Sequence, residues 1–408
     1  MDKKIIKILI VEDSPVVTLI LKRIFTSSPE MEVVGTAQNG LEALELIPKV
    51  QPDVICTDLH MARMNGLEFT LEVMSKYPRP ILVISASVQP EDTYNVFQLL
   101  DAGAVDVFPK PRAQSIQDYE MLKQELIAKI KVLSGVAVFT LHRRSKVVGL
   151  QIAGGAGEQG SRGAGERGSG GAGEQGSGGA GERGSGEKHD RSHFLTQSSF
   201  RKTENSSHTS SVISHSKYQV IAIGASTGGP QALHTILGHL PSNLSVPVIC
   251  VQHISEGFLQ GLVDWLASEC KLPVKIATMG DLPQPGTVYF PPEKRHLELN
   301  SQGKFVYSAS PPQSGHRPSV TVTFKSVAHF YGRSAVGVLL TGMGSDGADG
   351  MLAISQAGGM TIAQNEASCV VFGMPKEAIA LGGAQHILPI GEIAPFLLNR
   401  VWGLGRRG

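Results

Sequence analysis

Three residues that together can perform nucleophilic acyl transfer stand at similar places in the second half of this chain: Ser226, His253 and Asp346. Ser226 lies in QVIAIGASTGGPQAL, between an apolar β-rich run and a helical pattern. His253 closes PVICVQH, and Asp346 follows the apolar run of AVGVLLTGMGSDG. A serine hydroxyl needs a base to take its proton, an imidazole titrating near neutrality can do so, and a carboxylate can hold that imidazole's tautomer. Gly224, Gly228 and Gly229 ease a tight strand-to-helix turn, where free backbone N–H groups and the positive end of a helix meet an oxyanion. Each residue also has a bland reading taken singly. A histidine after a strand is ordinarily structural, an aspartate in a Gly-rich loop is ordinarily a turn or cap residue, and a Gly-rich turn also suits a phosphate. The turn lacks the GK[ST] of a P-loop and the spacing of a dinucleotide site. Their conjunction is what points to acyl transfer.

A second group sits in the first third. Glu12 and Asp13 follow one apolar β-branched run, Asp58 follows another, Ser85 ends a third and Lys110 follows a fourth. Crowded carboxylates repel one another unless a divalent cation joins them, and all-oxygen ligation suits Mg²⁺. With a hydroxyl and an ammonium beside them, such a site neutralises an incoming phosphoryl group and lets Asp58 attack it.

Both groups need strand ends to share an edge. Lys7–Val11, Val33–Ala37, Val54–Thr57, Ile81–Ile84 and Val105–Phe108 read as strands, with helical patterns starting near Pro15, Gly40, Gly66 and Glu91 and a last amphipathic segment at Tyr119–Leu133. Five strands alternating with helices imply a doubly wound α/β domain with a parallel sheet, whose ligands bind beyond the carboxyl ends of the strands. From Tyr218 the alternation returns. Gln219–Ile223, Pro247–Val251, Val288–Phe290 and Ala335–Leu340 read as strands; Pro230–Leu240, Gly257–Ser268, Ser319–Tyr331 and Asp349–Ala357 read as helices. The second domain is therefore also doubly wound, mostly parallel α/β.

Between them the composition changes. From Ala156 to Glu187 an octapeptide repeats as AGEQGSRG, AGERGSGG, AGEQGSGG and AGERGSGE. With no apolar face to bury, such a run cannot offset its ordering entropy, so Val147–Ser216 reads as a flexible tether. A Gly-rich coil of about 60 residues spans roughly 40–45 Å. The expected division is 5–125 for the first domain, 126–217 for a helix end and linker, and 218–405 for the second domain.

The formal charge of +1 leaves no global field to draw the chain to nucleic acid or a membrane surface. Cys56, Cys250, Cys270 and Cys369 are scattered without a CxxC pair, which indicates neither zinc nor a disulfide framework. Lys7 interrupts the apolar start and Glu12-Asp13 close it early, unlike a signal peptide. No stretch reaches the roughly 20 apolar residues of a membrane helix, so the chain reads as soluble and cytoplasmic. His296 reads as structural, and Trp265 and Trp402 as packing residues.

Glu12-Asp13, Asp58, Ser85 and Lys110-Pro111 resemble the signature of response-regulator receiver domains over roughly residues 5–125. That resemblance implies phosphorylation of Asp58 by a histidine kinase, Mg²⁺ held by Glu12, Asp13 and Asp58, signalling through Ser85 and Lys110, and a cis Lys110–Pro111 bond. The aromatic position three residues before the lysine is Val107 here, with Phe108 beside it. IGASTGGPQAL, VQHISEGF, VYFPPEKRHLEL, GHRPSVTVTFKSVA, VGVLLTGMGSDGADGM and TIAQNEASCVVFGMPKEAI are similar to the catalytic domain of chemotaxis protein-glutamate methylesterases. This second resemblance implies Ser226 as nucleophile, His253 as base and Asp346 as the orienting carboxylate, with Thr227 and Met343 beside the oxyanion pocket. It implies hydrolysis of glutamate γ-methyl esters on methyl-accepting chemotaxis receptors, deamidation of receptor glutamines in some members, and no cofactor in that domain. Arg317 either steers acidic receptor segments or pairs with a carboxylate. The resemblance further implies a receiver that covers the active-site edge until it is phosphorylated, and a tether this long lowers the docked domain's effective concentration. The competing readings are a receiver with a DNA-binding output and a non-catalytic module whose Gly-rich loops hold phosphate.

Overall fold

The computed structural model describes residues 4–86, 90–111, 116–138 and 217–401. The octapeptide repeat and the rest of the expected tether lie outside the described residues, as do Trp402 and the terminal GRRG.

The first domain follows β1 (Ile6–Val11), α1 (Pro15–Thr26), β2 (Met31–Ala37), α2 (Gly40–Val50), β3 (Val54–Thr57), α3 (Gly66–Lys76), β4 (Ile81–Ser85), α4 (Pro90–Asp101), β5 (Asp106–Pro109) and α5 (Ile116–Leu133). Its sheet runs β2-β1-β3-β4-β5 with parallel neighbours throughout. Ile8 to Val11 are fully buried, as a central strand covered on both faces requires. Helices begin where a polar side chain can accept an orphan N–H: Ser14 before Pro15, Asn39 before Gly40, and Asn65, which forms a capping box with Glu68. The strand order reverses around β1, so the crevice at its carboxyl end, between β1 and β3, receives Glu12, Asp13 and Asp58.

The boundary expected at residue 125 falls inside α5. Leu126, Ile130 and Leu133 are buried with Ile8, Ile10 and Phe25, so the first domain's packing runs on to the end of that helix. Lys110–Pro111 is not cis; the cis bond among the described residues is Arg317–Pro318. Trans is the favoured isomer of an X–Pro bond by about 0.5–1 kcal/mol unless its surroundings select otherwise.

The second domain comprises β6 (Val220–Ala225), α6 (Gly229–Leu237), β7 (Val248–Gln252), α7 (Leu259–Glu269), β8 (Val274–Ile276), β9 (Val288–Phe290), β10 (His296–Leu299), β11 (Phe305–Ser308), α8 (Val320–Tyr331), β12 (Ala335–Leu339), α9 (Ala348–Gln356), β13 (Met360–Gln364), α10 (Met374–Ala380), β14 (His386–Leu388) and α11 (Ile390–Val401). Seven parallel strands run β14-β13-β12-β6-β7-β9-β8, and β10 and β11 pair as a separate antiparallel hairpin. The order reverses around β6, whose neighbours are β12 and β7. Three adjacent strand ends thus converge at this domain's own switch point. No helix among the described residues is long and apolar enough to cross a membrane.

Candidate active site

Ser226 lies one residue beyond β6, in the turn that starts α6. Its N–H donates to the Thr341 carbonyl at 3.0 Å, and its carbonyl accepts from Gly229 N at 2.7 Å and Gln252 Nε2 at 2.8 Å. The turn needs Gly228 at φ 74°, where a Cβ would also lie 2.6 Å from Val370. Gly342 lets the loop after β12 close on the serine, because a Cβ there would come within 2.7 Å of Ser226 Cβ.

His253 follows β7 directly, and its N–H donates to the Ala225 carbonyl at 3.0 Å, tying it to the end of β6. Its Nε2 lies 2.9 Å from Asp346 Oδ2. Asp346 is 1% exposed and sits on the N-terminus of α8. Its Oδ1 accepts from Ser319 Oγ at 2.8 Å, Thr321 N at 3.0 Å and Gly347 N at 3.0 Å, and its Oδ2 also accepts from Val320 N at 2.7 Å. Burial pushes this carboxyl upward, but the His253 hydrogen bond and charge, with donors from Ser319 and Thr321, outweigh it and hold the group well below the usual carboxylate range. An ionised carboxylate only accepts, so His253 Nε2 carries a proton, and in the neutral ring the lone pair is on Nδ1. That Nδ1 is buried without a hydrogen-bond partner.

Ser226 and His253 line one cavity of about 380 Å³ together with Thr227, His316, Arg317 and Met343. The sequence-derived set therefore converges, with the His253–Asp346 bond made and no bond from Ser226 to Nδ1. Thr227 is buried and Met343 is 45% exposed at the rim. Among the described residues, the backbone N–H groups of Thr227 and Met343 donate to no protein acceptor. Among the described residues Arg317 pairs with no carboxylate: its guanidinium donates to the carbonyls of Ala309 at 3.1 Å and Ser310 at 3.4 Å. His296 is fully buried, accepting from Ser319 N at 3.2 Å and facing the Pro311 carbonyl at 3.3 Å, a structural role as expected.

Two further contributors lie within the GHRPSVTVTFKSVA motif but carry no spacing signal of their own. Ser319 is the N-cap of α8 and at the same time a donor to Asp346. His316 lies face to face with His253, ring centroids 3.7 Å apart and 7° from parallel.

In the first domain, Lys110 Nζ donates to Asp58 Oδ2 at 2.8 Å and to Glu12 Oε1 at 2.9 Å. Asp58 Oδ1 accepts the Leu59 N–H at 2.7 Å. Burial raises the pKa of both Glu12 and Asp58, against the hydrogen bond and charge of Lys110; Asp58 adds to the rise at Glu12. Ligand oxygens of Glu12, Asp13 and Asp58 lie within 4.8 Å of one another, and Glu12 Oε2 is buried without a partner. Hard oxygen donors, one of them unpaired, fit a small divalent cation. Ser85 is the buried last residue of β4, and its carbonyl accepts the Lys110 N–H at 2.9 Å. Val107 and Phe108 are both buried, in opposite cores of their sheet.

The two domains meet. Phe97 of α4 stacks on Trp265 of α7 at 5.4 Å and 16°, and Trp265 Nε1 donates to Asp101 at 3.3 Å. Gln231 of α6 donates to the Ala104 carbonyl at 2.6 Å. Glu125 and Lys129 of α5 also line the Ser226 cavity. Trp265, read from the sequence as packing, packs against the other domain.

Fold and site together define a receiver joined to an α/β domain that gathers serine, histidine and aspartate at one sheet edge. The model of the response regulator receiver domain matches residues 8–119, and that of the CheB methylesterase matches 221–397. The chain is 36% identical over 396 residues to a protein-glutamate methylesterase/protein-glutamine glutaminase of Nitrosospira multiformis, covering 97% of each chain. It is 36% identical over 395 residues to one of Syntrophus aciditrophicus, covering 97% of this chain and 98% of the relative. The crystal structure of the Thermotoga maritima CheB methylesterase catalytic domain is 39% identical, covers 45% of this chain and 98% of its own, and superposes with a TM-score of 0.44. The chain belongs to the protein-glutamate methylesterase/protein-glutamine glutaminase family. A DNA-binding output has no counterpart in this match.

Proposed function

We propose that the chain hydrolyses glutamate γ-methyl esters on chemotaxis receptors to glutamate and methanol, deamidates receptor glutamines at the same site, and is switched by phosphorylation of Asp58. The observation that carries this reading is the His253–Asp346 bond at 2.9 Å, which leaves a lone pair on Nδ1 in the cavity that Ser226 also lines.

Ser226 Oγ attacks the ester carbonyl while His253 Nδ1 takes its proton. Asp346, already ionised and bonded to Nε2, stabilises the imidazolium. The free N–H groups of Thr227 and Met343 stabilise the oxyanion, and Arg317 contributes to the substrate side of the cavity. The C–O bond to methoxide breaks as His253 returns the proton, giving methanol and a glutamyl ester on Ser226. His253 then deprotonates water, whose oxygen displaces Ser226 to give glutamate. With glutamine the first leaving group is ammonia.

In the receiver, Glu12, Asp13 and Asp58 would hold Mg²⁺. When bound, the cation supplies charge neutralisation for the transferred phosphoryl group. Asp58 is the nucleophile toward a phosphohistidine of the chemotaxis kinase, and Lys110 and Ser85 meet the product phosphoryl. The division at 5–125, 126–217 and 218–405, with the first domain's core running to Leu133, and a cytoplasmic location follow from the same reading. The test is methanol release from methylated receptor by the full chain. A small phosphodonor with Mg²⁺ is expected to raise it in the wild type and not in Asp58→Asn. Equal stimulation of both would remove Asp58 from the switch.

A further inference from the structure

We infer that His316 is a positioning residue for the reaction, clamping the His253 imidazole face to face so that Nε2 stays on Asp346 and Nδ1 stays in the cavity. The inference rests on the roles proposed above for Ser226, His253 and Asp346.

His253 has one hydrogen bond to orient it, from Nε2 to Asp346, and nothing bonds Nδ1. Rotation about the Cβ–Cγ bond of an imidazole is broad and nearly two-fold, so a single bond at one edge leaves the ring free to rock about that contact. A parallel ring at 3.7 Å removes that freedom by covering one face. The clamp is itself held. Gln313 N–H donates to the His316 carbonyl at 3.0 Å and His316 N–H to the Gln313 carbonyl at 2.9 Å. Ser314 and Gly315 between them have φ of 52° and 82°, a two-residue hairpin turn with both central residues left-handed. The next residue, Arg317, ties the loop to Ala309 and Ser310. Ser319 ends the same loop as a donor to Asp346. One loop thus delivers the ring above the base and a donor to the base's carboxylate.

The stack also suits the charge that develops. Two imidazolium rings in parallel contact repel, so His316 must remain neutral when His253 takes the serine proton. Burial first, then the charges of His253 and Lys129, push His316 down to about 4, with Asp346 working the other way. A neutral π-face against an imidazolium is attractive. The role is transmitted through His253, which separates it from a contact to substrate.

The test is steady-state methanol release by the phosphodonor-activated full chain in His316→Ala, His316→Leu and His316→Phe. Misplacing a reacting group by about 1 Å can cost on the order of 100-fold. We expect kcat to fall about 10–100-fold in the Ala and Leu variants with KM within about twofold, and Phe, which keeps a flat ring, to return to within about threefold of wild type. Two results would overturn the clamp: a Phe variant no better than Leu, or losses confined to KM. Ser226→Ala runs alongside. If it still releases methanol, the reading of the site itself fails and the clamp falls with it for that separate reason.

Discussion

The two polar sites of this chain occupy the same address, the carboxyl edge of a parallel sheet where the strand order reverses, yet their carboxylates are set in opposite directions. Asp346 is surrounded by donors, the first turn of α8, the Ser319 hydroxyl and the His253 imidazole, and its pKa is held well below the usual range. Asp58 and Glu12 are buried beside each other with one lysine between them, and theirs are raised. Topology delivers side chains to an edge; what meets them there decides their chemistry. A carboxylate finished by protein donors is fixed as an anion that orients a base. A pair left short of positive charge favours a cation and a phosphoryl group.

The largest effect that sharpens this contrast is at Asp346. Asp346→Asn places an amide N–H₂ against His253 Nε2, favouring the wrong tautomer, and removes an acceptor from the start of α8. We expect kcat for methanol release to fall about 10³–10⁴-fold, with the fold retained by circular dichroism. A loss below tenfold would mean that the carboxylate is only a helix cap.

A smaller effect concerns the contact between domains. Phe97→Ala removes the ring stacked on Trp265 from the receiver side, leaving the catalytic domain's residues intact. An aromatic pair contributes about 0.5–1.5 kcal/mol beyond its buried area, so methanol release by the unphosphorylated chain should rise roughly 2–10-fold while the fully phosphorylated rate stays level. An unchanged basal rate would show that this contact does not restrain access to Ser226.

The smallest effect is at the octapeptide repeat. Effective concentration falls roughly as the −3/2 power of linker length, so deleting Ala156–Glu187 should lower basal release about two- to threefold and steepen its dependence on phosphodonor. No change in either rate would remove the repeat from the control of activity.

Much of this is legible in the sequence because several candidate site residues close a strongly apolar run: IKILIV before Glu12, VICT before Asp58, VIAIGA before Ser226. Strands β8, β9 and β14 have three residues each. A run that short carries almost no periodicity, and of the three only β9 reads as a strand from the sequence. β13 and α10 fall almost entirely within TIAQNEASCVVFGMPKEAI, which carries the family resemblance rather than a strand or helix period. His316 and Ser319 were invisible as site residues because their partners, His253 and Asp346, are distant in sequence and meet them only when α8 packs against the sheet. Trp265 showed its burial but not its partner, since nothing in a helix's own pattern says which domain covers it.

The central claim is that the Ser226 hydroxyl is the nucleophile in an acyl transfer served by His253. Its most direct measurement is rapid quench of the enzyme with methylated receptor, followed by mass spectrometry of the peptide carrying Ser226. A glutamyl-receptor ester on Ser226 that accumulates in step with released methanol, and is absent from Ser226→Ala, is the expected result. Full methanol release by Ser226→Ala, or an adduct on any other residue, would contradict it.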